Sequence, residues 1–437
     1  MTRRVAAILC AGHLFAAAAA GGCSSGMRAL DTVTTAPAEG GRTRILAALS
    51  DHARRDADGF LRDMQALHGL RGSGPFRLRS IDLTFVVLEL PEDADPETAL
   101  ARLLADPRVA SAQTVNTFRT RAEEEDDEPQ DTPEPPPPPG DAPADASQPF
   151  VGDRYKHLQK GYKAVRAELA HRWATGKGVR VALVDTPILL THPDLKGQVA
   201  AQRLFVPEST DPFSMRHGTA MAGVIAARRN DTGIVGVAPA ARLLALGACR
   251  QAQPGSAAGV CDTVTLSMAL DAAIAQRADV IVLSLSGPDD PLLARLVAAA
   301  LDRGSVVVAA SNWRDPAGQG FPSLPGVLAA QEPAPPGSIV PPWEPDEAPV
   351  GCPTNGILTT VPPGIWDYLK GDSLAAAHAA GVAALVKERA PKMTPAEIGL
   401  LLRSTAQPRL GLAPEMGTGI IDACSAVARL AGATCPP

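Results

Sequence analysis

Three short, almost unbroken apolar runs, Val179–Val184, Val280–Leu285 and Ser305–Ala310, constrain this chain more than any other feature. Half-exposed strands alternate apolar and polar residues, so runs without polar gaps predict strands buried on both faces. Between them lie segments with helical spacing, such as Thr265–Gln276, where Leu266, Ala269, Leu270, Ala273 and Ile274 share a face. Leu292–Arg303 reads as another helix and Arg242–Leu246 as another strand. Alternating strands and helices of this kind predict an α/β fold: a mainly parallel sheet covered by helices on both faces. Ligands in such folds gather beyond the carboxyl ends of the strands, and Asp185 and Asn312 both follow apolar runs there.

Chemistry-bearing residues occur at three places in a fixed order. They are Val181-Ala-Leu-Val-Asp185-Thr186, His217-Gly-Thr219 and Gly371-Asp-Ser373-Leu-Ala-Ala-Ala-His378. An acid, a base and a nucleophile in the order Asp, His, Ser suit acyl transfer: histidine takes the serine proton while the carboxylate holds its tautomer. Ser373 opens the Ala-rich helical segment Leu374–Ala390, and a helix N-terminus favours a developing oxyanion. Further matches follow each motif: His192-Pro-Asp-Leu195, Ala222-Gly-Val224 and Gly381-Val-Ala-Ala-Leu385.

On these residues, the stretch from about Val151 to Ala431 resembles a subtilisin-like serine protease, or subtilase. The resemblance implies a subtilisin-like fold and a serine endopeptidase with Asp185, His217 and Ser373 as catalytic residues. It also implies Asn312 as an oxyanion-hole amide, a donor whose removal costs roughly 10²- to 10³-fold in turnover. Substrate is expected as an extended strand, with Ser284, Leu285, Ser286 and Gly287 forming one edge and the primary pocket wall. The loop between Cys249 and Cys261 is expected to carry the opposite edge. The substrates implied are proteins or peptides.

The pattern departs from the family at Pro187, Ser311, Ala377 and Asp372. Asp372 matters most, because it sets a carboxylate beside a centre that must develop negative charge. At a separation of about 4 Å and an effective dielectric of about 20, the repulsion reaches ~4 kcal/mol. It motivates an alternative expectation, a subtilase-fold peptide-binding protein with weak or no catalysis. Metal catalysis is not expected: His192, His378 and Asp194 form no His-Glu-x-x-His pattern or close ligand cluster. No cofactor is required; subtilases often bind calcium, but no loop here supplies assignable ligands.

Ahead of this region, Ile81–Leu90 is β-rich, Pro96–Ala105 reads as a helix with Leu100, Leu103 and Leu104 on one face, and Val109–Val115 reads as a returning strand. A small α+β domain over 42–119 in this position resembles a subtilase propeptide, which makes the chain's own propeptide an expected partner. Residues 120–149 read as an acidic Pro-rich linker, and 150–432 as the catalytic domain. Residues 121–148 hold ten acids and one arginine; taking that −9 from the total of −6 leaves about +3 for everything else. The acidity belongs to the linker, and the balance argues against a nucleic-acid partner.

Arg3 and Arg4, the apolar stretch Val5–Ala20 and Gly21-Gly-Cys23 read as a signal over 1–23. Cleavage before Cys23 resembles lipoprotein processing, with Cys23 lipidated and membrane contact only through that anchor; cleavage after Ala20 gives a soluble secreted protein. Either route predicts export to the cell envelope or beyond, where disulfides can form. Sequence proximity suggests Cys249 with Cys261 and Cys424 with Cys435, leaving Cys352 unpaired, although spacing alone also allows buried free thiols.

Overall fold

The structure is a computed structural model that describes residues 42–120, 153–314, 320–335, 338, 347–407 and 419–437. The signal, Cys23 and the linker after Thr120 lie outside the described residues, as does most of the Pro-rich stretch Glu332–Pro349.

The N-terminal unit consists of β1 (Arg44–Leu49), α1 (Ala57–His68), β2 (Arg71–Leu78), β3 (Leu83–Glu89), α2 (Pro96–Ala105) and β4 (Val109–Thr114). Its sheet is antiparallel in the order β2-β3-β1-β4. Both helices start at aspartate caps, Asp56 and Asp95, whose side chains accept backbone N–H groups that the first turn leaves unpaired. One sheet face packs on these helices through Ile45, Ala47, Val86 and Leu88. The other carries Leu46, Ala48, Phe85 and Val87 into the core of the larger unit. Alternation along β1 and β3 therefore commits the sheet to burial on both faces.

The larger unit is built on a seven-stranded sheet in the order β15-β14-β13-β11-β6-β8-β7, parallel throughout. Its strands are β6 (Arg180–Asp185), β7 (Val199–Leu204), β8 (Arg242–Gly247), β11 (Val280–Leu283), β13 (Val306–Ala310), β14 (Leu328–Gln331) and β15 (Val350–Gly351). Val181 and Leu183 face one core cluster, shared with α5 (Arg216–Ala226), α8 (Asp372–Arg389), α9 (Pro395–Thr405) and α10 (Ala423–Leu430). Ala182 and Val184 face the other, shared with α6 (Thr263–Ala275) and α7 (Pro291–Asp302). This explains the unbroken apolar runs: both pleat faces are covered. The short helices α3 (Lys160–Ala164) and α4 (Ala167–Ala170) and the hairpin β16 (Ile357–Val361) with β17 (Ile365–Leu369) complete the unit.

One predicted strand divides in two. The run Val280–Leu285 is expected as a single strand, but β11 ends at Leu283 and Leu285–Ser286 form β12 in a different sheet. That antiparallel sheet has the order β12-β5-β10-β9, with β5 (Thr117–Thr120), β9 (Arg250–Gln251) and β10 (Gly259–Asp262). Ser284 at the break and Leu285 after it are both fully buried, so the run keeps its buried character across the change of sheet; periodicity reports burial, not which partner a strand takes.

Candidate active site

β6 lies at the turning point of the sheet, since the chain goes to β7 and β8 on one side of it and to β11, β13 and β14 on the other. Asp185 closes β6 and is wholly buried. Its Oδ1 lies 2.7 Å from His217 Nδ1 and also accepts the N–H of Thr186 at 2.6 Å. Asp185 Oδ2 has no hydrogen-bond partner among the described residues. His217 stands in the first turn of α5, and its Nε2 lies 2.9 Å from Ser373 Oγ. With a proton on Nδ1 donated to Asp185, Nε2 keeps its lone pair and accepts from the serine hydroxyl. His217 and Ser373 are 5% and 1% exposed, so the three groups interact with little solvent competition.

Close backbone packing produces this alignment. The N–H of Gly218 donates to Thr186 Oγ1 at 2.8 Å, and a Cβ on Gly218 would stand 2.2 Å from the Thr186 carbonyl oxygen. Only glycine lets α5 approach the end of β6 this closely. Ser373 is the second residue of α8, whose N-cap Gly371 has φ +145°, a conformation that L side chains rarely adopt. Asp372 is the first residue of α8 and half-buried, at the end where unpaired N–H groups favour a carboxylate. Pro187 fits the loop after Thr186, against Gly247 at the end of β8.

Ser284 meets Ser373 from the side of β11. Its carbonyl oxygen lies 3.3 Å from Ser373 Oγ, and its hydroxyl lies 3.5 Å from the Ser373 carbonyl. Leu285 and Ser286 then form an edge strand, and Gly287 packs against the Phe118 ring so tightly that a Cβ there would come within 2.2 Å of it. Asn312 lies two residues past β13, half-buried, with its side-chain oxygen accepting the N–H of Arg314 at 2.8 Å. That bond fixes the amide so that its NH₂ faces away from Arg314.

Between the two expected edges runs β5, a segment that sequence reasoning missed. Thr120 and Arg119 pair with Leu285 and Ser286 on one side; Arg119, Phe118 and Thr117 pair with Val260, Cys261 and Asp262 on the other. The available signal was a single apolar residue, Phe118, between β-branched threonines in Thr117-Phe-Arg-Thr120, and four residues are too few to stand out. The N-terminal unit is held nearby by Arg44 on Asp262 at 2.8 Å, and by Gln113 and Asn116 on Asp290 at 3.0 Å each. Cys249 and Cys261 form a disulfide that ties β10 to the segment after β8, where the N–H groups of Ala248 and Cys249 donate to the Asp185 carbonyl. Cys424 pairs with Cys435, and Cys352 is a buried free thiol whose pKa burial pushes up.

The remaining histidines of the motifs lie apart. His192 Nε2 bonds the Ile365 carbonyl at 2.9 Å, and His378 Nδ1 bonds the Leu374 carbonyl at 2.7 Å. Burial lowers each to a pKa of about 4. Asp194 accepts from Trp366 Nε1 and from the N–H of Ile234, and burial raises its pKa. Among the described residues the one cluster with metal-ligating atoms is Asp422, Cys424 and Cys435, whose two cysteines are joined as a disulfide.

An Asp-His-Ser chain of hydrogen bonds at the carboxyl ends of an all-parallel sheet is the arrangement of a serine acyl-transfer centre. The chain belongs to the subtilase family, whose model matches residues 176–355 and 348–419. It is 32% identical over 277 residues to subtilisin from Bacillus pumilus, covering 60% of this chain and 96% of that protein. Subtilisin NAT from Bacillus subtilis subsp. natto is also 32% identical over 277 residues, at 60% of this chain and 69% of the relative. Among solved structures, fervidolysin from Fervidobacterium pennivorans superposes with a TM-score of 0.67 over 94% of this chain and 64% of its own, at 21% identity, which shows a shared fold. Family and relatives make this a serine peptidase of the subtilisin kind.

Proposed function

We propose that the protein is an exported serine endopeptidase that cleaves protein or peptide substrates through an acyl-enzyme. The observation that carries this is the continuous hydrogen-bond chain from Asp185 through His217 to Ser373. Ser373 Oγ attacks the scissile carbonyl while His217 Nε2 takes its proton, and Asp185 stabilises the imidazolium that forms. The oxyanion develops at the N-terminus of α8, with the Asn312 amide as second donor. His217 returns the proton to the leaving amine, and water then repeats the sequence to release the acyl group.

The N-terminal unit acts as a propeptide: it carries β5 into the cleft that substrate must enter, which keeps the protein latent until it is cut. The distal elements of this reading are export by the segment 1–23, with lipid attachment at Cys23, and maturation in the linker beyond Thr120. Mass spectrometry of the mature N-terminus tests both. The reaction proposed here uses no cofactor, and no residues are assigned to calcium.

Asp372 favours a second reading, a peptide-binding protein with little turnover. A fluorophosphonate probe separates the two. Labelling of processed wild type that disappears in Ser373→Ala supports the peptidase; folded, processed protein that takes no label is the result that sinks it.

A further inference from the structure

The cleft is occupied by four residues of the chain itself, and their side chains alternate. Phe118 and Thr120 are 1% and 6% exposed, whereas Arg119 between them points to solvent. Thr120 pairs with Leu285, and the preceding residue of that edge is Ser284, whose carbonyl oxygen meets Ser373 Oγ. Continuing an antiparallel register by one step therefore brings the next residue of a seated peptide to the nucleophile. The Thr120 side chain marks the slot for the second residue ahead of the cut bond.

That slot is small, and its walls are fixed. A Cβ placed on Gly259 would stand 2.7 Å from Thr186 Cγ2, 2.9 Å from Thr120 Cγ2 and 3.3 Å from Cys249 Cβ, so these four residues meet at one point. Thr186 cannot turn its methyl away without losing the bond from Gly218 to its hydroxyl. Cys249 cannot withdraw, because it is held by its disulfide and by its N–H on the Asp185 carbonyl. The slot also has a polar end: the buried N–H of Gly259 donates to Thr120 Oγ1 at 2.8 Å.

Resting on the peptidase reading above, we propose that the enzyme selects threonine or serine as the second residue before the scissile bond. Gly259 N–H recognises the hydroxyl, and Thr186, Gly259 and Cys249 limit the size. Valine matches threonine in volume but leaves the Gly259 donor facing a methyl group, and leaving a buried donor unpaired costs roughly tenfold or more in affinity. Leucine and larger residues meet the Thr186 methyl and the disulfide.

The test uses processed protein and quenched-fluorescence peptides that differ at this one position, carrying Thr, Ser, Val or Leu, with each cut bond located by mass spectrometry. Expected is a kcat/KM for Thr and Ser roughly tenfold above Val, with Leu lower still. Thr186→Ser keeps the hydroxyl that holds Gly218 and removes the methyl wall, so it should raise the Leu peptide relative to the Thr peptide. Fluorophosphonate labelling of the same samples separates the failures. Labelled enzyme that cuts Val as fast as Thr, or that gains nothing for Leu in Thr186→Ser, overturns the slot alone. Folded, processed enzyme without label overturns the peptidase reading and this inference with it.

Discussion

At the scale of single residues, Asp372 shows how one helix end can serve stability and oppose chemistry together. As the first residue of α8 its carboxylate complements the helix dipole, worth about 0.3–1 kcal/mol. The same field favours the oxyanion at Ser373, so a second negative charge there competes with it. Asp372→Asn should raise kcat, by up to about a thousandfold if the full ~4 kcal/mol of repulsion operates, while lowering stability by under about 1 kcal/mol. Turnover assays and thermal melts read the two effects; an unchanged kcat would mean the charge is screened from the reacting centre.

His378 makes a second prediction. Burial lowers its pKa from 6.5 to about 4, so between those values the unfolded chain binds a proton that the folded chain does not. Stability therefore falls as pH drops from about 6.5 to about 4, by ~3 kcal/mol for this group, and is insensitive to it above that window. His192 acts in the same direction, and Asp194, with its raised pKa, acts oppositely. Urea unfolding at stepped pH should show a shallower acid loss in His378→Asn than in wild type. Equal slopes would remove His378 from the account.

At the scale of elements, the site depends on how closely α5 approaches β6. Gly218→Ala would press a Cβ against the Thr186 carbonyl at 2.2 Å, and backbone on both sides cannot yield cheaply. The expected outcome is a fall in kcat of at least about a hundredfold, because a displacement near 1 Å in a positioning element costs that much. Single-turnover kinetics beside a circular dichroism spectrum would distinguish a displaced His217 from a collapsed fold. β12 shows a related effect: its two residues leave the parallel sheet right after Ser284, whose carbonyl oxygen lies beside Ser373 Oγ. The only local mark of the boundary in Val280–Leu285 is Ser284, a single polar residue between two apolar ones.

At the scale of the whole molecule, the N-terminal unit and the peptidase unit share one core cluster and one small sheet. A strand seated between β12 and β10 excludes any other extended chain from that position. The full-length protein should therefore be latent, and its processing should depend on Ser373. The new N-terminus is expected within two residues beyond Thr120, because one register step past the Thr120–Leu285 pair is Ser284, whose carbonyl oxygen lies beside Ser373 Oγ. N-terminal sequencing of purified protein, wild type against Ser373→Ala, reads this directly. Cutting at the same bond in purified Ser373→Ala would assign maturation to another protease. Among the described residues no helix is long and apolar enough to cross a membrane.

The parallel sheet and the Asp-His-Ser trio were legible in the sequence because both are local patterns. A strand buried on both faces must be largely apolar, and Asp185, His217 and Ser373 each sit in a short motif whose small residues permit close packing. Distance along the chain hid the rest. That Asp185 and Ser373, 188 residues apart in numbering, come within reach of one imidazole follows from strand order and from the approach of α5 and α8. That Thr117–Thr120 lies in the cleft depends on pairing with partners more than 130 residues away, and four residues carry too little pattern to announce it. Sequence by itself determined which groups were available for acyl transfer and the kind of sheet that would hold them. Only the tertiary structure decided that Thr117–Thr120 is seated between Leu285–Ser286 and Val260–Asp262, because that pairing is set by contacts between segments that no local pattern links.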